Sequence, residues 1–354
     1  MAIYIQATAN ISPQKTFGPL PFLAEAANYH DNRLHSIEPD YKDYIDGKSL
    51  RRMSRVIKMG VATAVECLRE AGEKNPGAII TATGYGCLED TGIFLTGLIE
   101  QQEEMLQPTP FIQSTHNTVG AQIALILKCH AYNNTFVHRG LSFESALLDA
   151  NMLLDENGST NALVGAVDEI TDISHAILSR LGLYKRAPVS SLSVFGTASR
   201  GTIAGEGSAF FLLTNQRSDN TYAQLEGIAV FYKPLDIRET EQRIAAFLFS
   251  HQMRSGDIDL VITGRNGDIK GDALYGQLEK SVFKNCRCIN YKHLCGEYPT
   301  SSAFALWLAA KIIKTGTVPA STGYDGPAEN KVKRILIYNH CHTIHHSLLL
   351  VSAY

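Results

Sequence analysis

Long apolar runs are missing from this chain: none approaches the roughly 20 residues that a bilayer span needs, which excludes a transmembrane helix. Basic clusters are equally scarce. No basic run exceeds two residues and the net charge is −3, so neither nucleic acid nor an anionic membrane would be held by bulk electrostatics. The opening Met1-Ala2-Ile3-Tyr4-Ile5 lacks both the basic and the apolar segment of a signal peptide and reads as a strand, so the expected location is the cytoplasm. Cysteine pairs at metal-finger spacing are absent too. Cys67, Cys87, Cys129, Cys286, Cys288, Cys295 and Cys341 are odd in number and fall mostly in apolar periodic segments, which reads as reduced core residues. Cys286-Arg287-Cys288 is too tight for a zinc knuckle and no second pair completes a tetrahedral set. No metal and no cofactor is expected.

What the chain does have is 354 residues of which 45% are hydrophobic, enough for one large α/β domain or two packed halves. Short β-rich runs alternate with amphipathic helical stretches. Strands are expected at Ile3–Ala9, Ala78–Thr83, Ala162–Val167, Ser208–Thr214, Leu225–Tyr232, Leu260–Thr263, Cys288–Asn290, Arg334–Tyr338 and Ser347–Ser352. Helices are expected at about 50–72, 88–104, 118–130, 142–156, 238–252, 270–284 and 300–315, with turn signals such as Asn157-Gly158 and Asn266-Gly267 between elements. The order of elements is roughly duplicated, with the second copy starting near Tyr222, so two pseudo-symmetric halves, 1–221 and 222–354, are expected.

One stretch invites a chemical reading. Phe111-Ile112-Gln113 looks like a strand-like lead-in to the small turn Ser114-Thr115-His116-Asn117, after which a helix would bury Val119, Ile123, Leu125 and Ile126. A helix N-terminus lowers a thiol pKa and stabilises an oxyanion, yet no cysteine stands at this one. Asn339-His340-Cys341-His342-Thr343-Ile344-His345-His346 is the densest set of potential metal ligands, His340 and His342 sharing one face if the segment is a strand. A polar turn between the last two strands is the plainer reading. Thr83-Gly84-Tyr85-Gly86 lacks the third glycine and the lysine of a phosphate loop and reads as a tight turn.

Over nearly its whole length the chain resembles the β-ketoacyl synthases of the thiolase fold. Ser193-Val194-Phe195-Gly196 through Gly201-Thr202-Ile203-Ala204-Gly205-Glu206-Gly207-Ser208-Ala209 is similar to the family's F-D-x-x-R-x-G-x-x-x-G-E-G-A segment. Lys292-His293-Leu294-Cys295-Gly296-Glu297 resembles its K-x-x-x-G-H, and Gly264-Arg265-Asn266-Gly267-Asp268 through Asp272 its H-G-T-x-T…D loop. Ser114-x-His116-Asn117-x-x-Gly120-x-Gln122 and Ser142-Phe143-Glu144-Ser145-Ala146-Leu147-Leu148 most resemble the chain-length-factor-like ketosynthases of aryl polyene and flexirubin-type pigment clusters.

The resemblance implies an αβαβα sandwich of five layers built from two pseudo-symmetric halves. It also implies a Cys-His-His site, and here the departures begin: the cysteine falls on His116, or on Thr115 one residue away, the first histidine on Gly264 and the second on Glu297. An ionised Glu297 would repel a developing enolate, and Gly264 offers no side chain. Lys292 is retained, free to pair with Glu297. The His-rich segment falls at the family's gating loop. In ketosynthase dimers the region of helix 88–104 lies at the subunit interface and closes the partner's acyl tunnel, which makes Ile93, Phe94 and Gly97 candidate chain-length determinants; ordinary core packing is the alternative.

The implied function is therefore a catalytically degenerate, chain-length-factor-like subunit. It would pair with an active ketosynthase and an acyl carrier protein in type II polyene or fatty-acyl biosynthesis. The rivals are an acyltransferase or β-ketoacyl synthase with a non-cysteine site using His116 or Thr115 with Glu297, and a non-catalytic homodimer that binds an acyl chain or carrier protein.

Overall fold

The computed structural model describes residues 2–156, 158–326 and 332–354. Its strands are β1 (Ile3–Ile11), β2 (Arg33–Leu34), β3 (Ala78–Ala82), β4 (Tyr132–Phe136), β5 (Asn161–Asp168), β6 (Ala204–Gly205), β7 (Gly207–Thr214), β8 (Ala223–Tyr232), β9 (Leu260–Thr263), β10 (Arg287–Asn290), β11 (Arg334–Cys341) and β12 (His345–Ser352). The helices are α1 (Gly47–Leu50), α2 (Arg55–Ala71), α3 (Leu88–Glu100), α4 (Pro108–Gln113), α5 (Thr118–Leu127), α6 (Ser142–Asp155), α7 (Asp172–Arg180), α8 (Ile237–Ser250), α9 (Ile269–Lys280), α10 (Lys292–Cys295) and α11 (Ser302–Thr315).

Ten strands form one sheet in the order β10-β9-β11-β12-β8-β1-β7-β5-β3-β4, and β2 pairs with β6 apart from it. On one side β1 and β7, then β7 and β5, are antiparallel, while β5-β3 and β3-β4 are parallel. On the other side β8-β12 and β12-β11 are antiparallel, while β11-β9 and β9-β10 are parallel. The two five-stranded runs thus share one order and one set of directions, and they join where Ile3–Ile5 of β1 pairs with Ala223–Leu225 of β8.

Burial sorts the helices into layers. Residues 78–82, 207–214 and 260–263 are buried throughout, as expected for strands covered on both faces. α11 is buried nearly all round from Ser302 to Ala310, and α6 presents Phe143, Ala146, Leu147, Ala150 and Leu154 to the same core. Both helices touch strands of both halves. They form the middle layer, with α2 and α5 on the outer face of the first half and α8 and α9 on that of the second. The result is the five-layered α/β architecture that the resemblance implies.

Three elements differ from expectation. Phe111-Ile112-Gln113 is not a strand: Pro108 starts α4, where its missing N–H costs nothing. Tyr132–Phe136 is a strand, β4, at the sheet edge, despite Asn133 and Asn134. α7 also lacked a clear signal, being short and without a buried residue. In α5, Val119 and Ile123 are buried as expected but Leu125 faces outward at 69% exposure. Asn157 lies outside the described residues.

One ion pair pins the first half. Glu206 has no exposed side-chain surface and is gripped by Arg55, whose Nη1 lies 2.7 Å from Oε2 while Nη2 donates to Oε1. His35 Nδ1 (3.2 Å) and the backbone N–H groups of Ser36 (2.8 Å) and Ile170 (2.9 Å) complete the set. Burial would raise the Glu206 pKa, but the His35 hydrogen bond, the Arg55 guanidinium and the Ile170 N–H outweigh it and bring it from the usual 4.5 down to about 2. Its stabilisation is complete above pH 4.5 and is lost as the pH falls toward 2. Glu206→Gln is expected to cost about 3 kcal/mol at pH 7 and to flatten the acid limb between those limits, read by urea unfolding at stepped pH. Parallel profiles for variant and parent would contradict this.

Candidate functional site

The site is built around a contact between two stretches of backbone. A Cβ on Gly205 would fall 2.0 Å from the Cys295 carbonyl oxygen and 2.6 Å from Gly296 Cα, and one on Gly296 would fall 2.4 Å from Gly205 Cα. Gly296 also has φ +75°, a conformation that favours glycine. Across this crossing Gly205 N donates to the Glu297 carbonyl (3.0 Å) and Glu297 N to that of Ile203 (2.9 Å). The next residue on each strand is then fixed: Glu206 is sent to Arg55, and Glu297 emerges into a cleft of about 230 Å³ that Tyr85, Tyr184, Asn266, His340 and Cys341 also line.

The Glu297 carboxylate is held there. Lys292 Nζ, on a side chain with 1% exposure, lies 2.9 and 2.8 Å from its two oxygens, and Asn266 Nδ2 donates to Oε2 at 2.6 Å. Asn266 is fixed in turn by Asp272, which accepts from the N–H groups of Asn266 (3.0 Å) and Gly267 (2.9 Å). Lys185 ties this loop to the segment before β6, its Nζ donating to Ser199 Oγ and the Gly267 carbonyl, both at 2.9 Å.

Gly264 stands just after β9, and there is no room for a side chain on it: a Cβ would lie 2.1 Å from Asn339 Oδ1 and 2.6 Å from the Tyr275 hydroxyl. His340 stacks on Tyr275 with ring centroids 4.5 Å apart, and its Nε2 donates to the Gly271 carbonyl at 3.2 Å. Opposite it on the β11–β12 hairpin, His346 Nδ1 and the Tyr338 hydroxyl share a hydrogen bond of 2.9 Å. Burial above all pushes His340 down to about 3 and His346 down to about 4, so both rings are neutral at pH 7. His342 does not share a strand face with His340, because β11 ends at Cys341 and His342 turns with φ +55°. Among the described residues no group of three or more His, Cys, Asp or Glu side chains is placed to hold a metal ion.

Both expected helices start where the sequence places them, at Thr118 and Ser142, but the turn before the first lies away from the cleft. Thr115 and His116 are exposed, His116 packs against Gly86 in a narrow recess with Thr81 and Val119, and neither lines the cleft that holds Glu297. The helix start at the cleft is that of α6: β4 leads into residues 137–141, and a Cβ on Gly140 would fall 2.4 Å from Cys341 Cβ and 2.8 Å from its Sγ. In parallel sheets the strand-to-helix turns at the carboxyl ends of strands form the crevice, so the missed strand β4 hid the right turn. The spacing Phe143, Ala146, Leu147, Ala150 and Leu154 was the signal available. Cys341 likewise is not a core residue: it is partly exposed on the cleft wall, while all seven cysteines are free as expected. Ile93, Phe94 and Gly97 line a separate groove of about 850 Å³, Phe94 packing on Phe111 with centroids 5.1 Å apart.

With this geometry in hand, the class is a thiolase-like α/β protein. Residues 41–202 match the family described as "Beta-ketoacyl synthase, N-terminal domain". No curated protein matches the chain. Similar solved structures include the ishigamide ketosynthase/chain length factor, with TM-score 0.82 and 16% identity over 100% of this chain and 99% of that one. A β-ketoacyl synthase from Burkholderia phymatum STM815 gives TM-score 0.80 and 14% identity over 100% and 99%. The AntDE:AntF complex, a type II PKS acyl-carrier protein with its ketosynthase bound to the hexaketide, gives TM-score 0.76 and 16% identity over 100% and 99%. The family match covers residues 41–202, and the chain shares the fold of these structures over its whole length.

The Lys292–Glu297 pair is asymmetric, since Glu297 is 21% exposed and Lys292 1%. Glu297→Leu strands a buried ammonium and is expected to cost about 3–5 kcal/mol, more than Lys292→Met, which leaves a carboxylate that water reaches. The double variant should cost less than the sum of the two in urea unfolding; additive costs would show that the pair does not act as a unit.

Proposed function

We propose that this chain is a chain-length-factor-like, catalytically degenerate ketosynthase subunit. It pairs with an active ketosynthase in acyl-carrier-protein-dependent type II polyene or fatty-acyl biosynthesis, and the Ser114–Gln122 and Ser142–Leu148 motifs favour an aryl polyene or flexirubin-type route. The carrying observation is an unpartnered face of the first half. Ile93 on α3, Ile112 on α4, Leu125 on α5 and Tyr132 and Val137 at β4 are all exposed, at 53, 63, 69, 44 and 43%. β4 is the sheet's outermost strand on that side, with a row of backbone groups free for another chain. An edge strand flanked by exposed aliphatic side chains is what a large subunit interface requires.

The cleft supports the degenerate reading. Packing leaves no space for a side chain at Gly264, Glu297 is an acid locked to Lys292, and Gly140-Leu141-Ser142 at the start of α6 contains no cysteine. Condensation needs an acyl-holding thiol and donors for an enolate oxygen, and this arrangement offers a carboxylate where a donor is needed. Two similar structures are by name assemblies of this kind, one with a chain length factor and one with a carrier protein. The matching strand orders support reading 1–221 and 222–354 as two copies of one unit. The chain is placed in the cytoplasm on the same reading; no described helix is long and apolar enough to cross a membrane.

Co-expression with a ketosynthase carrying an intact Cys-His-His site should give a one-to-one complex by native mass spectrometry. Leu125→Glu and Ile112→Glu should abolish it without lowering the melting temperature. Within the complex Phe94→Ala should lengthen the product and Gly97→Leu shorten it. A stable homodimer that ignores the ketosynthase would favour the binding-homodimer reading instead.

A further inference from the structure

On α8 the packing of the second half accounts for one face and leaves the other unused. Thr240, Ile244, Phe247 and Leu248 are buried at helical spacing, the last three in the core of that half. On the other face Ala245 and Ala246 are exposed, and Phe249 is 79% exposed. With Met253 and Val282 these residues line a mostly apolar groove of about 490 Å³, which Arg254 also lines. A bulky ring thus stands beside small residues, on a surface that a monomer leaves in water.

We propose that the chain self-associates through α8, two copies meeting about a two-fold axis with their α8 helices antiparallel. A knob and a hollow on one surface are complementary to the same surface of a second copy turned about such an axis. Phe249 of each copy then lies on Ala246 of the other, and the alanines let the two helix axes approach closely. The charges fit the same register. Glu241 stands five residues before Ala246, on one ridge with Ala245, and Arg254 stands five residues after Phe249 and lines the groove. Each Glu241 therefore meets Arg254 of the other copy. Among the described residues neither has an ion-pair partner within its own chain, whereas Arg243 on the same helix is answered by Glu239 at 3.1 Å. The contact uses the second half and leaves β4, at the outer edge of the first, free for another chain. It does not rest on the partner proposed above, and pairing with a ketosynthase would join two copies of each at the same one-to-one ratio.

The test is sedimentation equilibrium of the full chain from micromolar to near-millimolar concentration, where a species of twice the chain mass is expected to build up. Phe249→Glu, at an exposed position, should leave the chain monomeric throughout with its far-UV circular dichroism unchanged. Glu241→Arg and Arg254→Glu should each raise the dimer dissociation constant about tenfold, because each sets like charges face to face. The double variant restores opposite charges and should return the constant close to its parent value. A chain that stays monomeric at every concentration overturns the proposal. So does a dimer that survives Phe249→Glu, or a double variant no tighter than the single ones. Protection of α8 from hydrogen exchange only when a ketosynthase is added would assign the groove to that protein and overturn it as well. Pairing with a ketosynthase is read separately by native mass spectrometry, in which Phe249→Glu should still pair, while Leu125→Glu should still self-associate. Loss of pairing with self-association intact counts against the subunit reading alone, and loss of self-association with pairing intact in the parent chain against this one alone.

Discussion

Backbone contact between Gly205 and Gly296 is the constraint on which the rest of the site depends. Any side chain at either position would enter the other strand, and the two residues belong to opposite halves of the molecule. Their neighbours inherit the geometry: Glu206 reaches inward to Arg55, and Glu297 reaches the cleft. A second tie works in parallel. Asp168 at the end of β5 accepts from Thr83 Oγ1 (2.9 Å) and Gly84 N (2.8 Å) through one oxygen, and from Thr300 N (3.1 Å) and Oγ1 (2.7 Å) through the other. Thr83 and Gly84 follow β3, whereas Thr300 precedes α11, so one buried carboxyl staples the first half to the second.

This frame holds the α/β scaffold in shape independently of the side chains that line the cleft. The two glycines concern the meeting of the halves, and the Glu206 ion pair lies within the first. The residues that line the cleft are not under that constraint. Tyr275 and Asn339 fill the space at Gly264, and His340 and His346 are kept neutral by burial, used for stacking and hydrogen bonding. Glu297 puts a carboxylate in the cleft, and Lys292 answers its charge. An anion in the cleft is tolerable because the lysine is buried beside it, and each member of the pair would be costly without the other.

Much of this was legible in the sequence, and the failures have physical causes. The helical period of Arg55–Ala71 and of Ser302–Thr315, and the apolar runs of Ala78–Ala82 and Leu260–Thr263, identify elements that pack against two layers. Gly205-Glu206-Gly207 and Gly296-Glu297 were visible because steric demand leaves few choices. β4 was not: an edge strand meets one neighbour and little core, so Tyr132-Asn133-Asn134 carries no apolar alternation. Missing it placed the turn at the cleft at Thr115-His116 instead of Leu141-Ser142, a displacement of one whole strand-turn-helix unit. Cys341 was hidden for a related reason, since its exposure is set by the turn at His342 and by Gly140, which is distant in sequence.

The central claim, that the α3–α5 and β4 face is half of an interface with a ketosynthase, is tested most directly by hydrogen–deuterium exchange of the chain alone and in the presence of an intact Cys-His-His ketosynthase. The account predicts that β4 and the exposed sides of α3, α4 and α5 become strongly protected, with α8 and α9 on the far face unchanged. Unaltered exchange along β4, or protection confined to α8 and α9, would contradict it.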